Sequence, residues 1–174
     1  AAGRVLSGRE FLVTLVKGYE VGIRAGLIRH ATCDTYHSSG SWGAIAGAAA
    51  VGRILGLSSI QLGHALGAAE YHAPMAPMMK CIVTPSMGKD STGWGSLVGL
   101  LSACMAQKGF TGVAPFFDDT PDPAWIDSLG ASWEIDNLYF KPYACCRWAQ
   151  PGVDGVLKLV QTHGILPEEI HAIT

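Results

Sequence analysis

The 174-residue chain has few charges, no cysteine pair at C-x-x-C spacing and no long apolar run, and each shortage excludes a class of protein. Asp, Glu, Lys and Arg make up only 15% of it, the formal net charge is -2, and no stretch is rich in Lys or Arg. That leaves no electrostatic footprint for nucleic acid or for an anionic membrane surface. Mean hydropathy is +0.26. Even so, the most continuous small-apolar stretch, Ala44 to Val51, is broken by Gly52 and Arg53, well short of the ~20 apolar residues that a membrane span needs. The cysteines (Cys33, Cys81, Cys104, Cys145 and Cys146) are odd in number, and their spacing suits neither a zinc site nor a disulfide framework. The N-terminus lacks the basic-then-apolar order of a secretory signal. A reducing, cytoplasmic setting is therefore expected.

What the chain does have is apolar surface to bury. Hydrophobic residues reach 49%, and 22 residues are glycine, far above the usual ~7%. Gly43 and Gly47, Gly63 and Gly67, and Gly95 and Gly99 lie four apart. In a helix that spacing leaves two side chains missing on one face, so a neighbouring helix can come close, at about 1 kcal/mol of propensity per glycine.

The periodicities predict a mainly α, compact helical domain. Leu12, Leu15, Val16, Tyr19, Ile23 and Leu27 give a helical repeat over Phe11 to His30. A polar turn, Cys33 to Gly40, precedes a small-residue helix from about Trp42 to Leu55 that stops at Gly56. Ser58 and Gln61 form a capping box that opens a helix running to about Glu70. From His72 to Lys89, Pro74, Pro77 and Pro85 and four methionines suggest a long buried loop, a feature that in a compact domain is usually functional. A helix from about Gly93 to Lys108, a turn at Thr120 to Pro123, an extended stretch from Ser132 to Tyr143 and a helix from Pro151 to His163 complete the pattern. Pro167 to Thr174 begins a further element. Both ends look cut, so a piece of a longer protein is expected, with 1–140 helical and 141–174 leading towards a second domain.

Three cationic or titratable residues stand out in apolar or turn-rich settings. These are His37 in Tyr36-His37-Ser38-Ser39-Gly40, Lys89 in Gly88-Lys89-Asp90-Ser91-Thr92-Gly93, and Lys141 in Phe140-Lys141-Pro142-Tyr143. Ammonium groups bind carboxylates and lower the cost of negative charge building beside them. An imidazole titrates near neutral pH and can take a proton from carbon or return it. Each residue also has a plainer reading: His37 as a hydrogen-bonded turn residue, Lys89 as a solvated loop lysine, Lys141 laying its stem across aromatics. His72 is ambiguous, Arg147 can serve as an ion-pair residue, and His30, His163 and His171 read as helix-end or surface residues. Cys145-Cys146 has no base beside it in sequence to make a nucleophile.

Several runs together resemble the 2-methylcitrate dehydratase (MmgE/PrpD) family. They are Gly18-Tyr19-Glu20-Val21, Tyr36-His37-Ser38-Ser39-Gly40, Ala48 to Leu57, Ala65-Leu66-Gly67-Ala68-Ala69, Ala106 to Gly112, and Phe140-Lys141-Pro142-Tyr143-Ala144-Cys145-Cys146-Arg147-Trp148, in that order along nearly the whole chain. The family also includes cis-aconitate decarboxylases and iminodisuccinate epimerases. The resemblance implies a large helical domain with a smaller α/β domain, a homodimer in the full-length protein, and catalysis without a cofactor, iron–sulfur cluster or metal. It implies His37, Lys89 and Lys141 as catalytic residues, with Tyr143 and Arg147 shaping the substrate pocket; His72, beside the methionine and proline loop, is a further substrate-binding candidate from its position. The expected ligand is a small polycarboxylate, and neither nucleic acid nor membrane is an expected partner. Family members carry further active-site residues upstream and downstream of the part matched, so these residues alone are expected to be inactive. The rival expectation is a helical binding module that has kept the core and lost the chemistry.

Overall fold

The computed structural model describes residues 5–84, 87–115, 117 and 120–172. The fold is mainly α, and among the described residues no strand forms; two isolated bridges are the only β-type pairing. No helix among them is long and apolar enough to cross a membrane. The chain divides into two compact units, Ala1–Asn137 and Leu138–Thr174.

The first unit is built from helices whose ends carry local signals. Ser7 opens α1 (Gly8–Thr32) with a capping box, its hydroxyl accepting the Glu10 amide at 3.2 Å. Helix α2 (Gly40–Leu55) stops at Gly56, whose φ of 69° is left-handed and suits glycine. The capping box expected at Ser58 opens α3 (Ser59–Tyr71): Gln61 Oε1 accepts the Ser58 amide at 3.1 Å, and Ser58 Oγ accepts the Gln61 amide at 3.3 Å. Helices α4 (Met79–Val83), α5 (Thr92–Gln107) and α6 (Ala124–Asp127) follow.

Helices α2 and α5 run side by side in the same direction, with Gly40 against Gly95 and Ala44 and Ala48 against Gly99. A methyl group on Gly99 would overlap the carbonyl of Ala44 and the amide of Ala48, so the close approach requires glycine there. Only the Gly95/Gly99 pair uses both members; Gly43 and Gly63 face open space. The core between α2, α3 and α5 is Ala44, Ala48, Ala65, Ala69, Ala103 and Ala106, small side chains that let the backbones come together.

Helix α1 turns a different face inward from the one its apolar repeat predicts. Leu12, Leu15 and Tyr19 are exposed, whereas Thr14, Gly18, Glu20, Gly22, Arg24, Ala25, Gly26 and Ile28 are buried. Gly18 and Gly22 bring α1 onto Ala46 and Ala50 of α2. Glu20 and Arg24 form a fully buried ion pair at 3.4 Å. Arg24 also donates to the Trp125 carbonyl, to Ser128 Oγ at 2.8 Å and to the Ser132 carbonyl at 2.9 Å, while Glu20 Oε1 accepts the Ile135 amide at 2.9 Å. The pair therefore ties residues 125–135 to α1.

Two stretches differ from the sequence reading. The segment from His72 to Lys89 is mostly exposed rather than buried, with Met78 its buried residue, and it contains α4; Pro85 lies outside the described residues. A helix of only five residues is too short to leave a periodic signal. Ser132 to Tyr143 is not extended: Glu134–Asn137 is a 3-10 turn, closed by Asn137 Nδ2 on Glu134 Oε2 at 3.2 Å, and irregular backbone follows it. The Glu20 bond to the Ile135 amide supplies the partner that a strand neighbour would have given.

In the second unit, a 3-10 turn at Arg147–Ala149 leads into α7 (Gln150–His163), with Pro151 in its first turn and Gly164 (φ 64°) as its stop. A 3-10 turn at Pro167–Glu169 follows; Ile173 and Thr174 lie outside the described residues.

Candidate functional site

Three stretches of the first unit meet at the N-termini of α2 and α5. The chain at His37 forms an antiparallel bridge with Pro77: Ser38 donates its amide to Ala76 and Met78 donates its own to Tyr36, both at 2.9 Å. Gly40 donates its amide to the Asp90 carbonyl at 2.8 Å, and Ser38 Oγ donates to the Pro74 carbonyl at 3.3 Å. Asp90 and Ser91 both have left-handed backbones, φ 54° and 53°, a conformation that costs a non-glycine residue on the order of 1 kcal/mol or more and that the surroundings must hold. Gly40 is part of what holds it, since a methyl there would overlap the Ser91 carbonyl and the Pro74 ring.

The His37 imidazole is only 2% exposed. Its Nδ1 lies 2.7 Å from the Thr35 carbonyl oxygen. A carbonyl can only accept, so Nδ1 carries hydrogen and Nε2 keeps its lone pair in the neutral ring. That Nε2 is buried with no hydrogen-bond partner among the described residues. The ring faces Trp42 at 5.7 Å and His30 at 6.1 Å, centroid to centroid.

Beside this turn lies an open cleft of about 560 Å³ whose walls include Ser38, Met78, Lys80, Lys89, Asp90 and Trp94. The ring of His37 does not line it, although the next residue does. Lys89 donates from Nζ to the Cys81 carbonyl at 2.5 Å. Ser91, Gly93 and Trp94 bring the N-terminal, electropositive end of α5 to the same wall. His72 caps the end of α3, exposed and edge-on to Tyr71 at 5.2 Å, and does not reach the cleft.

The second unit gathers the remaining residues named from sequence. Lys141 donates from Nζ to the Cys145 carbonyl at 3.1 Å, and Gln150 Nε2 donates to the carbonyls of Tyr143 at 3.0 Å and Cys145 at 3.2 Å. The loop 141–146 is thus wound round the buried Gln150 side chain at the start of α7. Tyr143 donates its hydroxyl to Asp154 Oδ1 at 2.5 Å, and that bond to a carboxylate holds the phenol above its ordinary pKa of 10.0. Arg147 is exposed at the head of the 3-10 turn. Among the described residues no His, Cys, Asp and Glu side chains gather as a metal-binding group.

Four residues that sequence reasoning did not single out for a site matter here. Lys80 and His30 have no local signature and are placed by tertiary packing. Gln150 and Asp154 sit on one side of α7, four apart, a spacing that could have marked them as partners of one loop.

A helical domain with a cation-lined cleft beside a buried, hydrogen-bonded histidine is the class that fold and site define. The chain belongs to the MmgE/PrpD family, whose N-terminal domain profile matches residues 1–133. It is 27% identical over 180 aligned residues to the cis-aconitate decarboxylase-like protein oryM of Aspergillus oryzae, covering 91% of this chain and 37% of that protein. It is 24% identical over 178 aligned residues to cis-aconitate decarboxylase of Aspergillus terreus, covering 90% of this chain and 36% of that one. The chain thus spans little more than a third of the length of these relatives.

Proposed function

We propose that the chain is the helical part of a cofactor-independent lyase or isomerase that moves a proton α to a carboxylate of a small di- or tricarboxylate. In this reading 1–140 belongs to the helical domain and 141–174 leads into a smaller α/β domain of a longer, cytoplasmic, homodimeric enzyme. His37 transfers the proton. Lys89 and Lys141 hold carboxylates and stabilise the charge that builds on carbon as its proton leaves, and Tyr143 and Arg147 contribute to substrate binding. Dehydration, decarboxylation and epimerisation all draw on that stabilised charge.

The observation that carries the reading is the lone pair on His37 Nε2, buried and without a partner among the described residues, beside the turn that holds Lys89. A buried nitrogen without a hydrogen bond costs roughly 1–3 kcal/mol, and native structures leave few such atoms without a use. The fixed Nδ1–H leaves Nε2 as the atom able to accept a proton, and in this reading the ammonium groups that hold the carboxylates supply the field that makes carbon acidity accessible.

A second reading, a helical binding module without catalysis, draws on the Lys89 ammonium being bonded to the Cys81 carbonyl and on the His37 ring facing Trp42 and His30. Assays of the intact protein on cis-aconitate, 2-methylcitrate and iminodisuccinate separate the two. Turnover of one of them supports the enzyme; saturable binding of all three with no turnover supports the module.

A further inference from the structure

We propose that Lys80 is the second cation of the Lys89 cleft, and that the two ammonium groups together hold two carboxylates of one ligand. The inference rests on the polycarboxylate reading above and adds to it a residue that sequence motifs do not mark.

Lys80 lies on α4, and its side chain lines the same cleft as Lys89. The Lys89 ammonium is anchored on the carbonyl of Cys81, the residue next to Lys80, so both cations are tethered to one wall. One of the three N–H donors of Lys89 is used in that bond and two remain for a ligand. The Lys80 ammonium has no hydrogen-bond or ion-pair partner among the described residues. Asp90 is the only acid among the lining residues described, so two positive charges face one negative, and the positive end of α5 adds to the imbalance. Like charges that share a cleft repel each other, and an anion bridging them removes that cost. A monocarboxylate brings one negative charge to two positive ones, whereas a di- or tricarboxylate brings a carboxylate for each ammonium. Met78 and Trp94 supply an apolar wall for the carbon skeleton, and about 560 Å³ is within the range of small-molecule sites.

The test is calorimetric titration of the intact protein at low salt with tricarballylate and, separately, with acetate. The proposal expects tricarballylate affinity to fall about tenfold or more in Lys80→Gln and to be largely restored in Lys80→Arg. Acetate binding should change less than about twofold, and a Lys108→Gln control, at the far end of α5, should behave as the parent. If Lys89→Gln abolishes tricarballylate binding and Lys80→Gln leaves it intact, Lys80 is not part of the site and the polycarboxylate reading stands. If the intact parent protein shows no saturable binding of tricarballylate, both fall. Should Lys80→Gln not fold, alkylation of Cys81 in the parent, followed by peptide mapping, decides the matter, because that thiol lines the same cleft. Protection by tricarballylate and not by acetate supports the pair; equal protection by both, or none, overturns it.

Discussion

Gly40 donates its amide to the carbonyl of Asp90 at 2.8 Å, and through this bond the turn that carries His37 and the turn that carries Lys89 become one piece of structure. The two residues are far apart along the chain, and the parallel packing of α2 on α5 brings their N-termini to the same place. The left-handed pair Asp90-Ser91 closes against Gly40 because glycine alone leaves room for the Ser91 carbonyl.

Gly40→Ala should therefore act on both turns at once. The added methyl has to displace backbone rather than the end of a flexible side chain, so a loss of about 1–3 kcal/mol or more is expected from overpacking. Urea unfolding measures it. A Gly43→Ala control should cost little or add stability, because a methyl there meets open space and alanine is the better helix former. Equal effects of the two variants would contradict the packing described.

The buried Glu20–Arg24 pair gives a second prediction. Arg24→Met leaves the Glu20 carboxylate buried without its cation, and about 3–5 kcal/mol of destabilisation is expected. The double variant Glu20→Leu/Arg24→Met removes the stranded charge and should recover part of that loss. It should not recover all of it, because the carbonyls of Trp125 and Ser132 and the amide of Ile135 lose their partners. Thermal unfolding of the single and double variants, compared as a cycle, checks the order.

Tyr143 provides a prediction in pH. Its hydroxyl is held above the ordinary phenol value chiefly by the bond to Asp154. The pKa is higher folded than unfolded, so the bond's contribution to stability is present in full below about pH 10, the unfolded value, and is lost as pH rises through the folded value. A near-ultraviolet phenolate titration of the folded chain should contain a late component. It should disappear in Tyr143→Phe and move to lower pH in Asp154→Asn. A late component that persists in Tyr143→Phe would assign the shift elsewhere.

The helix ends were legible in the sequence because their signals are local. Ser58 with Gln61, and the glycines at 56 and 164, each act within a turn of the helix they start or stop. The inward face of α1 was not legible. Its apolar stripe, Leu12, Leu15 and Tyr19, carries the hydrophobic period, but close packing on α2 selects the face that carries Gly18, Gly22 and Gly26, and a buried ion pair finds its partners more than a hundred residues away. Helix α4 is too short to leave a period. Of the candidate site, the motifs identified His37, Lys89 and Lys141 as types suited to carboxylate chemistry. They could not indicate that the His37 ring turns towards His30 and Trp42, nor that Lys80 joins Lys89 in one cleft, since both are consequences of how helices distant in sequence pack.

The most direct measurement is the rate at which the intact protein exchanges the carbon-bound hydrogen of 2-methylcitrate or iminodisuccinate with deuterated solvent, in the parent and in His37→Gln. Exchange and turnover falling together by about 100-fold or more, the range of general acid–base catalysis, with substrate binding retained, is the result expected of a base at Nε2. Exchange at the parental rate in His37→Gln would contradict it.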